Sequence, residues 1–293
     1  MMCKYPFIRD TRGEIRWMSR ATKEQRMEAT PFPCGKCLPC RINKARTWTH
    51  RILLEQMDHK ETTFVTLTYN EENLPKGNTL KPKDITNYLK RLRTKTGPFR
   101  YFMVGEYGEN TDRPHYHLIL FGLGTIDHYN IQDKWTKKKI PMGFIHIGEL
   151  NKHSAQYIAG YINKKLDSNN PKLGPRHPEY QRSSRINGGI GHGAIKRIAK
   201  SLINNPYRPA RIIREIQYGK EKKPLGRYLT EKLATLLGVP REQFETEFWI
   251  HQEEIFQKHL NKKWYYGNIQ TEKKTQRLQQ SKKQKIYSQR KTI

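Results

Sequence analysis

Two histidines separated by one residue, His115 and His117, stand in RPHYHLILFG, and two tyrosines four apart, Tyr157 and Tyr161, stand in AQYIAGYINKKL. In an extended strand alternate side chains leave the same face. The two imidazoles therefore point one way, about 7 Å apart along the chain, while Tyr116, Leu118 and Leu120 point the other way and suit burial. Taken alone, such a pair is more often an ordinary couple of strand histidines than a ligand set. Glu106 changes the weighing. It ends the preceding apolar run, RYFMVGE, and the short turn-rich connection GENTDRP implies a hairpin that returns His115 beside it. Two imidazoles and a carboxylate, with positions left for water or substrate, suit a catalytic divalent ion. Mixed nitrogen and oxygen ligation fits Mg²⁺ or Mn²⁺ acting on a phosphate better than a closed zinc site.

The tyrosines are i and i+4 on a helix, hence stacked on one face, and Lys164 continues that face with Lys165 beside it. Ile158, Ile162 and Leu166 form a neighbouring apolar stripe. The tyrosines could merely widen that stripe, but Lys164 is an odd member of a purely structural face. A phenol, with a pKa of about 10, is a poor nucleophile at neutral pH until a cation lowers that value, and a bound metal or Lys164 could do so. The metal would also neutralise the oxygens of the attacked phosphate. Attack on a DNA phosphodiester yields a phosphotyrosine ester that retains the bond energy for rejoining. Two tyrosines on one face would permit two consecutive transfers.

A second constellation lies near the start. Cys34, Cys37 and Cys40 form CxxCxxC within PCGKCLPCR, and Cys3 would complete a tetrahedral four-thiolate zinc site. The usual second CxxC knuckle is missing, and half-buried thiols in a Gly/Pro-rich turn are the alternative.

The elements that must position these residues follow from periodicity. An N-terminal extension, residues 1–60, carries the cysteines and a basic helix from about Arg41 to Asp58. FVTLTYN (64–70) reads as a strand, and Ile85, Tyr88, Leu89 and Leu92 mark a helix ended by Gly97-Pro98. Strands over 100–106 and 115–121 follow. A basic helix is expected over Asp127–Lys139, a strand over 143–148, and a helix capped by Asn151 or Ser154 that runs to about Leu166. The order β-α-β-β-α-β-α predicts an α+β domain over 61–167, ferredoxin-like, with an antiparallel sheet covered by helices. Residues 168–260 read as loop (to about 193) and then a helical C-terminal extension, and 261–293 as a basic tail.

With 56 Lys and Arg against 27 Asp and Glu among 293 residues, the formal charge is +29. The excess is spread along the chain, and a polyanion is its natural partner. Nucleic acid is favoured over an anionic membrane, because phosphate contacts release counterions and no strongly amphipathic basic helix with an aromatic face stands out. Without an apolar leader or a run of about 18 apolar residues, the chain is expected in the cytoplasm, its thiols reduced. There is no GxxxxGK[ST], hence no expected ATP-driven motor.

FVTLTYN, RPHYHLILFG and YIAGYINKK, in that order, resemble the three motifs of HUH-superfamily rolling-circle replication initiators, and the Y-x3-Y-x2-K form is similar to their two-tyrosine class. With PCGKCxxCR and GEYGENTDRPHYH, the likeness extends to the initiators of microviruses, especially the gokushovirus-like group, strongly over about residues 1–166. The resemblance implies an HUH endonuclease that nicks the viral strand at the origin of the duplex replicative form. It would stay joined to the 5′ phosphate, leave a 3′-OH for the host polymerase, and later recircularise the displaced single strand. On that pattern His115 and His117 are metal ligands with Glu106 a third, Tyr157 and Tyr161 the nucleophiles, and Lys164 the supporting cation. FVTLTYN flanks the site, and a host helicase unwinds the duplex. The implied location is the host bacterial cytoplasm. The alternatives are a relaxase or single-tyrosine transposase of the same superfamily, and a non-catalytic zinc-containing nucleic-acid-binding protein.

Overall fold

The computed structural model describes residues 3, 5–9, 14–17, 20, 22, 30–108, 111–161, 173–206, 209 and 211–260. Its elements begin with β1 (Phe7–Arg9), β2 (Ile15–Trp17), β3 (Thr30–Phe32), α1 (Leu38–Gln56), β4 (Thr62–Thr68), α2 (Pro82–Thr96), β5 (Arg100–Tyr107) and β6 (Pro114–Phe121). There follow α3 (His128–Asp133), β7 (Thr136–Lys137), β8 (Ile140–Pro141), β9 (Ile145–Glu149), α4 (Lys152–Gly160) and β10 (Tyr180–Ser183). The last are α5 (His192–Ile203), β11 (Glu215–Tyr218), β12 (Glu221–Pro224), α6 (Gly226–Leu236) and α7 (Arg241–Leu260). The chain forms two compact units, one of residues Ala45–Arg197 and one joining Met1–Lys44 to Ile198–Ile293.

The first unit is built on a five-stranded sheet of order β10-β5-β6-β4-β9, antiparallel at every pairing. β4, β5 and β6 are rich in β-branched and aromatic residues, which suit the pleated surface of central strands. Alternation then sends Val65, Leu67, Met103, Leu118 and Leu120 to one face. There they meet Ile85, Tyr88, Leu89 and Leu92 of α2 and Ile131 of α3. α2 starts on a proline in its first turn and stops at Gly97, whose φ of 81° only glycine adopts without cost and whose amide closes on the Arg93 carbonyl. The opposite face presents Phe64, Phe102, Val104, Ile119 and Phe121 to Ile52 and Trp48 of α1 and to Ala155, Ile158 and Ala159 of α4. The sheet is thus covered on both sides, as the α+β expectation requires.

Three segments depart from the sequence reading. The basic helix expected over Asp127–Lys139 stops at Asp133. A small hairpin of β7 and β8 follows, with Lys138 and Lys139 at φ of 51° and 67°. Trp135 decides this. It is 1% exposed, and its indole N–H donates to the Thr68 carbonyl at 2.8 Å, so burying the indole outweighs extending a lysine-rich helix. Within the expected loop of 167–193, Tyr180–Ser183 adds an edge strand to β5. Finally, β9 begins at Ile145, because Gly143 must pass against β4: a Cβ there would lie 2.2 Å from the Thr68 carbonyl oxygen. Residues of α1 from Ala45 on and β10 belong to the sheet's unit, which is therefore wider than 61–167.

The second unit holds a small sheet of order β2-β1-β3, the β11–β12 hairpin and the helices α6 and α7, with Ile212, Ala234 and Phe244 in a core of their own. A helical C-terminal part was expected, and α7 is its longest helix. The basic tail, 261–293, lies outside the described residues.

Candidate active site

Register places the chemistry. In the β5–β6 hairpin Glu106 lies directly opposite His115 and Val104 opposite His117, while across β4 Thr68 faces His115 and Thr66 faces His117. Paired residues share a face, so Glu106, both histidines and both threonines emerge on the side covered by α1 and α4. The turn leading into His115 is held by Arg113, which donates to the Tyr69 carbonyl at 2.9 Å and pairs with Glu71.

Glu106 and His117 are each only 5% exposed, and His117 Nε2 lies 3.0 Å from Glu106 Oε1. The other ring nitrogen, Nδ1, lies 2.9 Å from the Thr66 hydroxyl. On His115, Nδ1 is 2.7 Å from the Arg113 carbonyl. A carbonyl can only accept, so that nitrogen carries the proton and Nε2 keeps its lone pair for a ligand. Burial, reinforced by the nearby His117, lowers the pKa of His115 despite that hydrogen bond, favouring the neutral form that binds metals. The donor set therefore fits a divalent cation in chemistry. It is an open set: among the described residues, only the four cysteines form a group of three or more ligand atoms all within 4.8 Å.

The helix α4 brings the tyrosines over this site. Its start is fixed by Asn151, whose side-chain oxygen accepts from the amides of His153 and Ser154 at 2.8 and 2.9 Å. Of the two candidates for this cap it is Asn151 that fills the role. Its apolar stripe, Ala155, Ile158 and Ala159, packs on the sheet and turns the other side of the helix end to His117. Tyr161 stacks on the His117 ring at 5.3 Å and 12°, and Tyr157 meets the same ring edge-on at 5.3 Å and 84°. The two phenols contact each other at 5.0 Å. Tyr161 also hydrogen-bonds Glu106 and Tyr157. Burial first, then the Glu106 charge, push its pKa far above the usual phenol value. Tyr157 is half-buried, the more accessible of the two. Lys164 lies outside the described residues.

Three side chains on this face were not singled out by sequence reasoning. Thr66 lies within FVTLTYN and orients His117. Phe144 and His146 sit on the edge strand side. His146 pairs with Thr66, and the Phe144 carbonyl accepts from the Thr68 amide at 3.0 Å, so both share the face of the histidines. Phe144 is 74% exposed, and its neighbours Ile145 and Ile147 point to the opposite core. Only an exposed aromatic in an otherwise alternating strand could have signalled it.

The four cysteines do converge. Cys3 Sγ lies 3.7 Å from Cys37 Sγ, the Cys34 amide donates to Cys3 Sγ at 3.2 Å, and the Cys37 amide donates to Cys34 Sγ at 3.3 Å. Crowding splits the thiols. A hydrogen bond from Cys40 pulls Cys3 down to about 5, and the same contact, with burial, drives Cys40 far upward.

Known proteins with sequences like this one are replication proteins. The family described as replication-associated protein ORF2/gene 2 protein matches residues 62–166. Over 219 residues the chain is 32% identical to replication-associated protein VP4 of Bdellovibrio phage phiMH2K, covering 67% of each. It is 37% identical over 179 residues to replication-associated protein ORF2 of Spiroplasma virus 4, covering 54% of this chain and 55% of that one. With replication-associated protein ORF4 of Chlamydia phage 1 it shares 24% identity over 246 residues, 75% of this chain and 57% of the other. The chain belongs to this family of phage replication-associated proteins of the microvirus kind. No solved structure matches it.

Proposed function

We propose that this protein is a rolling-circle replication initiator of the HUH superfamily, which nicks the viral DNA strand at the origin through a tyrosine and later rejoins the displaced strand. The observation that carries the reading is the convergence on His117: both tyrosine rings touch it, and Glu106 contacts both His117 and Tyr161. The central strand order β5-β6-β4-β9, with a helix following β4 and another following β6, is also that of a ferredoxin-like β-α-β-β-α-β unit.

In the first transfer a tyrosine oxygen attacks the scissile phosphorus, the bond to the 3′ oxygen breaks, and the leaving oxygen takes a proton to become a 3′-OH. The phosphate remains esterified to tyrosine on its 5′ side. A divalent ion, Mg²⁺ or Mn²⁺, held by His115, His117 and Glu106 supplies positive charge to the non-bridging oxygens when bound. Glu106 accepts a hydrogen bond from the Tyr161 hydroxyl, and so offers a buried acceptor for the proton lost on attack. Lys164 is assigned the supporting cation's role on the sequence motif alone. A second transfer, by the 3′-OH of a completed strand onto the phosphotyrosine, reverses the chemistry and closes a circle.

Single-stranded DNA at the origin of the replicative-form duplex is the substrate this reading requires. The charge of +29 supplies affinity for the backbone, and exposed Phe144, beside the Thr68–His115 row, offers a ring on which a base can stack. Unwinding falls to a host helicase and synthesis to a host polymerase, in the host's cytoplasm. No helix among the described residues is long and apolar enough to cross a membrane.

The test is direct. Incubating the full chain with single-stranded origin DNA and Mn²⁺ should produce a protein–DNA species that survives denaturing electrophoresis. Absence of that species across the viral strand would overturn the reading.

A further inference from the structure

We propose that Cys3, Cys34, Cys37 and Cys40 bind one structural Zn²⁺ ion that staples the N-terminal three-stranded sheet to the head of α1. The topology explains why these four residues meet. β1 pairs with β3 antiparallel, with Phe7 opposite Phe32, so the start of β1 and the end of β3 lie side by side. Cys3 is just before the one and Cys34 just after the other. The chain then turns through Gly35, at φ of 72°, so that Cys37 and Cys40 come round at the entry of α1.

Distances fit a closed thiolate site. Four sulfurs at about 2.3 Å from a tetrahedral zinc are about 3.8 Å from one another. The Cys3–Cys37 separation is 3.7 Å, and all four sulfurs lie within 4.8 Å of each other. A disulfide at about 2.05 Å is a different geometry, and all four cysteines are free. Two backbone amides already point at sulfurs, Cys34 N–H to Cys3 and Cys37 N–H to Cys34, the outer-sphere contacts that a thiolate site needs to disperse its negative charge. Four soft sulfur donors with no open position select zinc over Mg²⁺ or Mn²⁺.

The sheet itself supplies the motive. Its strands are three residues each, too short to stand alone, and its aromatic packing is limited to Phe7 stacked on Trp17 at 3.8 Å and on Phe32 at 5.8 Å. A structural metal is the usual remedy for so small a core. The site shares no ligand with the His115–His117–Glu106 set, so the two bind metals of opposite hardness.

Metal content of the full chain, purified from zinc-supplemented cells without chelators, is the first measurement, with about one zinc per chain expected. The His115→Ala/His117→Ala variant should retain that zinc, which separates this proposal from the fate of the nicking reaction. Because a cysteine variant could fail to fold, the second measurement uses the unmutated chain: titration with an organomercurial should release the zinc, and make residues 1–44 the first segment cut by protease. Replacing zinc by Co²⁺ should give the sulfur-to-metal charge-transfer bands and intense visible bands of a tetrahedral thiolate site. Protein carrying no zinc, protein carrying iron with its coloured cluster bands, or zinc lost in the double-histidine variant would each overturn the assignment.

Discussion

The two ligand clusters of this chain are held in opposite ways. The histidine site stands on the central strands of a five-stranded sheet, and its side chains are oriented by partners that are themselves buried or half-buried: Thr66 on His117, the Arg113 carbonyl on His115, Glu106 between His117 and Tyr161. The cysteine cluster stands at the margin of three short strands, where the ligands bring the segments together. A scaffold that is rigid without an ion can keep coordination positions open for chemistry. One that depends on its ion must surround it. The contrast accounts for open nitrogen and oxygen donors in one place and four sulfurs within 4.8 Å in the other.

That contrast can be broken most severely at the tyrosines. The Tyr157→Phe/Tyr161→Phe protein should form no covalent DNA species while unfolding at nearly the wild-type denaturant concentration, since both rings remain. Adduct at the wild-type level would remove both residues from the mechanism. Of the single variants, Tyr157→Phe should lose more of the first cleavage, because Tyr157 is the less buried phenol and Tyr161 is held far above its usual pKa by burial and Glu106. Strand-specific labelling of the adduct reads that order.

Next comes the outer support. Thr66→Val keeps the shape of the side chain but removes the hydroxyl beside His117 Nδ1, and should cost about 10- to 100-fold in Mn²⁺ affinity or nicking rate. Metal titration of the adduct yield would show it, and an unchanged midpoint would mean that the sheet alone orients the ring. Phe144→Ala should weaken single-stranded DNA binding by about tenfold, within the ~1–3 kcal/mol that stacking on one aromatic contributes, whereas Phe144→Trp should preserve it. Fluorescence anisotropy at several salt concentrations separates this loss from backbone electrostatics, because the salt slope should stay the same.

The smallest expected effect tests the rigidity of the sheet unit. Glu55 is buried, which by itself would raise its pKa. Hydrogen bonds from His59, Arg100 and the Gly191 amide overcome that and hold it below the ordinary carboxylate value. Arg100 in turn donates to the Gly188 carbonyl at 3.0 Å, so the glycine-rich loop over 188–191 is fastened to α1 through Glu55. A depressed folded-state pKa contributes stability that is fully present above the unfolded value of about 4.3 and is lost as pH falls through the lower folded value. Wild-type stability should therefore drop below about pH 4, and Glu55→Gln should flatten that drop while costing about 1–3 kcal/mol at neutral pH. Denaturant unfolding of the two proteins from about pH 3 to about pH 7 measures both.

Much of this was legible in sequence because it is local. Alternation put His115 and His117 on one face and Leu118 and Leu120 on the other, and 3.6-residue periodicity marked Ile85, Tyr88, Leu89 and Leu92 as the buried stripe of α2. The CxxCxxC spacing and the tyrosine pair are likewise short-range patterns, readable without a fold. What could not be read was set by distant partners. Trp135 ended a helix that its lysine-rich neighbours would have continued, because the indole found the Thr68 carbonyl 67 residues away. A polar four-residue strand, Tyr180–Ser183, has no period strong enough to announce itself and exists because β5 offered an unpaired edge. Phe144 and His146 joined the site through register with β4, and register between strands far apart in sequence is a property of the assembled sheet. By itself, the sequence determined which groups could do chemistry and which side of each element they occupy. Only the tertiary structure decided which groups meet, since hydrogen bonds across strands and burial of rings such as Trp135 and Tyr161 depend on segments that the chain joins only by folding.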